Sequence, residues 1–293
     1  MKFAIFGRTF PQHFGSVIQG LFDKLGDKDV NLTIYAPFLE FLRERIDLPF
    51  TPDEFNSYED LTEKPDIMIC IGGDGTFLEA ITHIRNAGTP ILGMNTGRLG
   101  FLANTSEENI YKAIEKITNG EFELEKRSLV EVVKPEPDIL NNTPFALNEF
   151  TVHKKDSSSM LSVEVYLNDE NLNTYYSDGL IIATPTGSTA YSLSCGGPVV
   201  SPGCKNFVIT PIAPHNINVR PVVVQDNTLI KLRISGRNDN ILLTLDSRNI
   251  TMNQPLDIEL EKADFMINMI KLENKTYFDT LKNKLIWGVD KRI

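Results

Sequence analysis

The spacing of apolar residues changes once along this 293-residue chain, near residue 125, and that change limits the folds open to it. Before it, strand and helix signals alternate. Residues 2–6 read as a strand, and Val17, Ile18, Leu21, Phe22 and Leu25 then recur at helical spacing. Residues 31–35 read as a second strand, and 38–46 as a helix with Phe38, Phe41, Leu42 and Ile46 on one stripe. Residues 47–65 carry three prolines and many polar side chains, the composition of a loop. The run 66–71 is apolar almost throughout, as in a strand buried on both faces. A helix is expected from about Thr76 to Asn86 and a strand over 90–94. A further helix is expected over roughly 106–118. Thr105 and Glu108 stand at capping-box spacing, Ile110, Ile114 and Ile117 form the apolar face, and Asn119-Gly120 stops it. Alternation of this kind implies a mostly parallel sheet covered by helices.

Beyond residue 125 the period falls to two. Leu161, Val163, Val165 and Leu167 alternate with polar residues, as do Ile230, Leu232 and Ile234, and then Leu256, Ile258 and Leu260. Turn signals at Asn168-Asp169-Glu170-Asn171 and Gly236-Arg237-Asn238-Asp239 separate such runs. This half is expected to be an antiparallel sandwich or a distorted barrel, and Phe278, Leu281 and Leu285 predict a short helix near the end. The fold class expected is α/β plus β. A mostly parallel α/β domain covers 1–125, completed by 277–293, and a β-sandwich-like domain covers 126–276.

Charge and cysteine usage remove several functions. A net charge of −10 opposes sequence-independent nucleic-acid binding, which needs cations facing phosphates. Cys70, Cys195 and Cys204 show no CxxC spacing and His13, His83, His153 and His215 no HExxH pattern, so neither a disulfide framework nor a zinc site is expected. No stretch is apolar for long enough to cross a bilayer, and the run from Met1 to Gly7 reads as a first strand rather than a leader. A cytoplasmic protein without a membrane partner is expected.

Chemistry enters at Gly72-Gly73-Asp74-Gly75-Thr76, which follows the buried strand and precedes a helix. Parallel sheets bind ligands beyond the carboxyl ends of their strands, where glycines admit close approach to the backbone and a helix start favours phosphate. Asp74 would repel phosphate unless a cation or a substrate proton compensates. It can accept a proton from an attacking hydroxyl, or hold Mg²⁺ directly or through water, and phosphoryl transfer uses both. The same five residues also make a generic turn with Asp74 in an Asx-turn. No GxxxxGK[ST] or GxGxxG is present, which disfavours a P-loop kinase and an ordinary Rossmann dehydrogenase.

A second polar segment runs from Ser177 to Pro198. An apolar strand, Leu180 to Ala183, leads into a Thr/Pro/Gly/Ser turn and hydroxyl residues around Tyr191. These offer hydrogen bonds to a polar ligand and an aromatic face to a base or nicotinamide ring. A capped turn followed by a short helix accounts for the segment equally well. Asn148-Glu149 is a third candidate, able to contact ribose hydroxyls or a base edge.

Taken together, these segments resemble the NAD kinase family. The resemblance is carried by Gly72-Gly73-Asp74-Gly75-Thr76, Gly97-Arg98-Leu99-Gly100-Phe101-Leu102, Asn148-Glu149, Ser177-Asp178-Gly179, the run Thr184 to Ser194, and Arg220-Pro221. It implies transfer of a phosphoryl group from ATP to the 2′-hydroxyl of the adenosine ribose of NAD, with a divalent cation, normally Mg²⁺. It implies a site between two domains and a homo-oligomer, dimer or tetramer. By position, Asp74 would be the proton acceptor with Gly75 beside it. Asn148, Glu149 and Asp178 would contact the dinucleotide, and Thr189, Ala190, Tyr191, Ser192, Leu193 and Ser194 would line its pocket. Arg248, a further candidate contact, stands where similar bacterial enzymes carry glutamine, and Glu79 and Tyr176 occupy variable places. The resemblance assigns no metal ligands. Two other readings compete. A lipid kinase with the same glycine turn needs an apolar groove, against which the hydroxyl-rich 184–194 argues. A dinucleotide sensor without catalysis gains nothing from a carboxylate at Asp74.

Overall fold

The computed structural model describes residues 1–28, 30–97, 100–135, 142–155, 160–236, 240–272 and 276–286. The chain divides into two compact units, 1–126 with 267–293, and 127–266.

In the first unit, strands β1 (Lys2–Gly7), β2 (Asn31–Tyr35), β3 (Asp53–Phe55), β4 (Ile67–Ile71), β5 (Ile91–Met94) and β6 (Glu123–Arg127) share one sheet. Its order is β3-β2-β1-β4-β5, then the strand Ile267–Lys271, then β6, and each pairing among the first five is parallel. The chain winds outward from β1 through β2 to β3, then crosses to β4 and β5. The direction of winding therefore reverses between β1 and β4, the place where open α/β sheets bind ligands. Strand Ile267–Lys271 arrives from far along the chain and pairs parallel to β5.

Helices α1 (Gly15–Gly26), α2 (Ala36–Arg43) and α4 (Ile110–Asn119) bury their apolar stripes in one core with Phe3, Ile5, Ile69 and Leu92. Ile110, Ile114 and Ile117 of α4 are fully buried, each contributing roughly 1.5–3 kcal/mol by leaving water. Helix α3 (Asp74–Ala80) covers the other face, where Phe77 packs close to Gly93 of β5. Helices on both faces give β4 its unbroken apolar sequence, since all five of its residues are buried.

Several local expectations are corrected. The helix expected from Thr76 begins at Asp74 and ends at Ala80. Two tighter turns, Ile81–His83 and Arg85–Ala87, carry the chain to Gly88 at φ 68°. The capping box at Thr105 does not form. Thr105 is buried and bridges to Met94 as an extension of the sheet, so α4 begins only after the turn Glu107–Asn109. The loop expected at 47–65 contains the edge strand β3 and a turn at Tyr58–Asp60, boxed by Ser57 and Asp60. Near the end, helix α6 (Tyr277–Leu285) forms with its own box, Thr276 and Asp279.

The second unit is a sandwich of two six-stranded sheets, which decides between sandwich and barrel. One sheet contains β7 (Val130–Lys134), β8 (Phe145–Ala146), β10 (Leu161–Leu167), β11 (Glu170–Ser177), β15 (Ile230–Gly236) and β18 (Leu256–Lys262), ordered β11-β10-β15-β18-β7-β8. The other contains β9 (Glu149–Lys154), β12 (Gly179–Ala183), β13 (Asn206–Ile212), β14 (Val222–Gln225), β16 (Asn240–Leu245) and β17 (Arg248–Asn253), ordered β14-β13-β12-β9-β16-β17. Inward residues of both sheets, among them Val163, Val165, Leu232, Leu180, Ile182 and Phe150, form one core, the outcome expected of period-two strands. Asn168 and Asp169 both take positive φ in the turn joining β10 to β11, as a two-residue hairpin requires. The expected turn at 237–239 lies outside the described residues. Strand β12 is buried on both faces. Leu180 and Ile182 point into the core, while Ile181 and Ala183 meet Val200, Val208 and Ile212 on the outer side, with Cys195 packed against them.

Candidate active site

The glycine turn lies where the topology predicts a ligand, at the carboxyl end of β4 beside that of β1. Gly72 takes φ 155°, and a Cβ there would stand 2.4 Å from the Thr76 hydroxyl, so the position requires glycine. At Gly73 and Gly75 an added Cβ meets nothing within 4 Å, so both flanks of Asp74 are open. The Asp74 carboxylate accepts N–H bonds from Phe101 (2.8 Å), Leu102 (3.0 Å) and Ala103 (2.9 Å). A Cβ on Gly100 would stand 1.8 Å from Asp74 Oδ1, so this glycine makes room for the carboxylate. The segments around Asp74 and Gly100, read separately in the sequence, are one structure. Arg98 and Leu99 of the same motif lie outside the described residues.

Arg8 belongs to none of the sequence motifs. It follows β1, donates its backbone N–H to Ile71 O at 3.3 Å, and forks onto Glu79, with Nε to Oε2 at 2.9 Å. Glu79 of α3 thus holds a cation at the reversal of the sheet. Among the described residues no three His, Cys, Asp or Glu side chains converge as a metal cage. One carboxylate with nucleotide phosphates is a usual Mg²⁺ environment, and Asp74 between open glycines fits it.

In the second unit, β9 and β12 run antiparallel with Ala183 opposite Glu149, which brings Asn148-Glu149 to the Thr/Pro/Gly/Ser turn. Thr184 donates its N–H to Asn148 O at 2.9 Å and its hydroxyl to Leu147 O at 2.5 Å. Gly187 passes so near Asn148 that an added Cβ would stand 2.0 Å from its carbonyl oxygen. The chain then forms a tight turn, Gly187–Thr189, and one helical turn, α5 (Tyr191–Ser194), as the capped-turn reading anticipated. Thr189 bonds back to Thr186 O, Ala190 breaks the helix at ψ −130°, and Ser192 turns inward onto the Thr210 hydroxyl at 2.8 Å. Leu193 is half-buried, whereas Tyr191 and Ser194 are exposed.

Glu149 is buried, at 8% exposure, and its Oε2 meets no hydrogen-bond partner among the described residues. Its carboxyl is pushed up to about 8, first by burial and then by the charge of Asp246, against one N–H from Tyr191. The Tyr191 phenol is raised by burial and by Cys195, and then by the charges of Asp178 and Glu149, so these candidates share one neighbourhood. Asp178 pairs with Lys154 at 2.6 Å, a partner with no signal in the sequence. Arg248 is turned onto the backbone, donating to Thr143 O at 2.6 Å and to Phe145 O. Buried Arg127 donates to Thr186 Oγ1 at 3.3 Å.

The raised Glu149 predicts a pH effect on stability. The folded chain keeps a proton that the unfolded chain releases near 4.5, so this contribution is complete below 4.5 and lost as pH rises through about 8. Between about pH 6 and pH 9 the wild type should lose on the order of 2 kcal/mol that Glu149→Gln keeps. Urea unfolding of both proteins at the two pH values measures this, and parallel curves would refute it.

Residues 42–122 match the ATP-NAD kinase N-terminal domain and residues 147–272 the ATP-NAD kinase C-terminal domain. A protein named NAD kinase from Flavobacterium psychrophilum is 45% identical over 293 residues, covering all of both chains. The chain belongs to the NAD kinase family. Another family member, from Bacteroides fragilis, is 42% identical over the same full length. Among solved structures, an NAD kinase from Archaeoglobus fulgidus in complex with ATP matches at TM-score 0.75 and 26% identity, over 98% of this chain and 99% of its own. Yeast NADH kinase complexed with NADH matches in fold at TM-score 0.86 and 21% identity, over 100% and 89%. The NAD kinase family thus joins both units, the first bearing Asp74 and the second Glu149.

Proposed function

We propose that this chain is an NAD kinase that transfers the terminal phosphoryl group of ATP to the 2′-hydroxyl of the adenosine ribose of NAD, giving NADP. The observation that carries the reading is Asp74, fixed by three N–H bonds and flanked by open glycines at the sheet reversal, in a chain of this family from end to end. Phosphoryl transfer asks the protein mainly for alignment and charge neutralisation. Asp74 accepts the proton of the attacking hydroxyl, and the same carboxylate would hold Mg²⁺ directly or through water. When bound, the cation neutralises charge on the phosphate oxygens.

The second unit binds the dinucleotide. Asn148 and Glu149 take its hydroxyls, Asp178 and the exposed Tyr191 contact its rings, and Gly75 and the segment Thr189 to Ser194 complete the contacts. At neutral pH Glu149 carries its proton and can donate as well as accept. Arg248 serves the pocket through the strand it holds. We place the enzyme in the cytoplasm as a homo-oligomer, dimer or tetramer. No described helix is long and apolar enough to cross a membrane.

The test is NADP formation by the purified chain from NAD, ATP and Mg²⁺, with diacylglycerol as an alternative acceptor of labelled phosphate. NADP formed and diacylglycerol untouched is the expected result. Label in the lipid alone, or NAD bound by calorimetry without turnover, would replace this reading with one of its competitors.

A further inference from the structure

Resting on the NAD kinase reading, we propose that the hairpin tip Asp246-Ser247-Arg248 is a positioning clamp that sets Asn148-Glu149 for the dinucleotide, with Asp246 its principal residue. Strands β16 and β17 meet in a two-residue turn, with Asp246 held at φ 54°. From there its carboxylate accepts three successive N–H bonds, from Leu147 (2.8 Å), Asn148 (2.8 Å) and Glu149 (3.2 Å). Its own N–H returns to Glu149 O at 3.0 Å. Two residues on, the Arg248 guanidinium takes the carbonyls of Thr143 and Phe145 and lies 5.5 Å over the Phe145 ring.

The acid grips amides and the base grips carbonyls, so one turn holds the stretch of chain from 143 to 149, where it passes from β8 to β9, by both kinds of backbone group. Hydrogen bonds to a charged partner are about twice as strong as neutral ones, and three on consecutive amides leave that stretch little freedom. Arg248 therefore acts on the pocket through the backbone it holds.

The clamp also carries charge to the pocket. Glu149 faces Asp246 from the hairpin, and the Tyr191 N–H, the Tyr191 phenol and the Cys195 thiol from α5 and its end, while Arg248 acts on Asp246. Removing the Asp246 charge while keeping its shape lowers the proton affinity of Glu149. A purely structural residue would have no such effect.

The experiment is steady-state NADP formation by full-length wild type, Asp246→Asn and Arg248→Lys, with circular dichroism to establish folding. For Asp246→Asn, KM for NAD should rise about tenfold and KM for ATP stay within about twofold, since three charge-assisted bonds are weakened at the NAD pocket alone. The inflection of kcat/KM for NAD against pH, which reports free-enzyme groups, should move to lower pH. An unchanged KM for NAD, or equal rises for both substrates with the inflection unmoved, overturns the clamp. Should Asp246→Asn fail to fold, Arg248→Lys decides. Lysine cannot fork onto two carbonyls, so KM for NAD should rise about threefold without change for ATP. A KM for NAD equal to wild type overturns the proposal. A wild type that makes no NADP overturns the function itself and the clamp with it, whereas an active wild type beside an unaltered Asp246→Asn overturns the clamp alone.

Discussion

Asp74→Asn is expected to lower NADP formation by roughly 10³-fold or more, with NAD binding retained. A positioned general base contributes about 10²–10⁴ in rate, and the carboxamide loses both the proton acceptor and the negative charge a cation needs. The structure adds a second cost. Both carboxylate oxygens accept backbone N–H groups, Oδ2 from Phe101 and Oδ1 from Leu102 and Ala103. In the asparagine variant an NH₂ group must face one of these donors, at about 1–3 kcal/mol for the unmade bond. The variant should therefore melt below wild type as well as lose turnover. Calorimetric titration with NAD separates the two effects, because the proposed dinucleotide contacts, Gly75 aside, are residues of the second unit. Turnover within about tenfold of wild type would exclude both the base and the cation role.

Gly187→Ala should be the most damaging methyl group that can be added to the second unit's pocket. The new Cβ would stand 2.0 Å from Asn148 O, 2.4 Å from its C and 2.7 Å from its Cα. These are backbone atoms of a strand held by Thr184 and Asp246, so no flexible side chain can move aside. Overpacking of this kind costs about 1–3 kcal/mol, and at roughly 2–4 °C per kcal/mol the melting temperature should fall by about 2–12 °C. KM for NAD should rise with it, because Asn148 is the residue displaced. Differential scanning calorimetry and KM measurements check both, and a melting temperature equal to wild type would mean that the two backbones do not touch as described.

The turn around Asp74 was legible because its constraints are local. A buried strand, a glycine turn and a helix start within ten residues can be read from adjacent letters, and Asp74 stands where that reading places it. Its three donors were not legible as partners, because Phe101 to Ala103 bond through backbone N–H groups that every residue except proline possesses. Strand β3 escaped notice because Asp53-Glu54-Phe55 lies at the sheet edge with only its phenylalanine buried, leaving no periodicity to detect. Thr105 misled because capping-box spacing says nothing about a strand competing for the same backbone. The alternation near Leu161 and Ile230 was reliable, since each such strand buries one face in a shared core. Asp246 reaches Asn148 across 98 positions of sequence, and Lys154 reaches Asp178 only through sheet register. Such contacts belong to topology, on which neighbouring letters are silent.

Strand Ile267–Lys271 lies inside the first sheet, between β5 and β6, although the whole of the second unit separates it from β6 along the chain. On a ribosome, the amino-terminal layer therefore waits with an unfilled slot until synthesis has passed residue 271, while the sandwich, continuous over 127–266, can already close. Asp74 and its three donors, Phe101 to Ala103, are made before that strand, so the carboxylate can be gripped while the sheet that carries it is still incomplete.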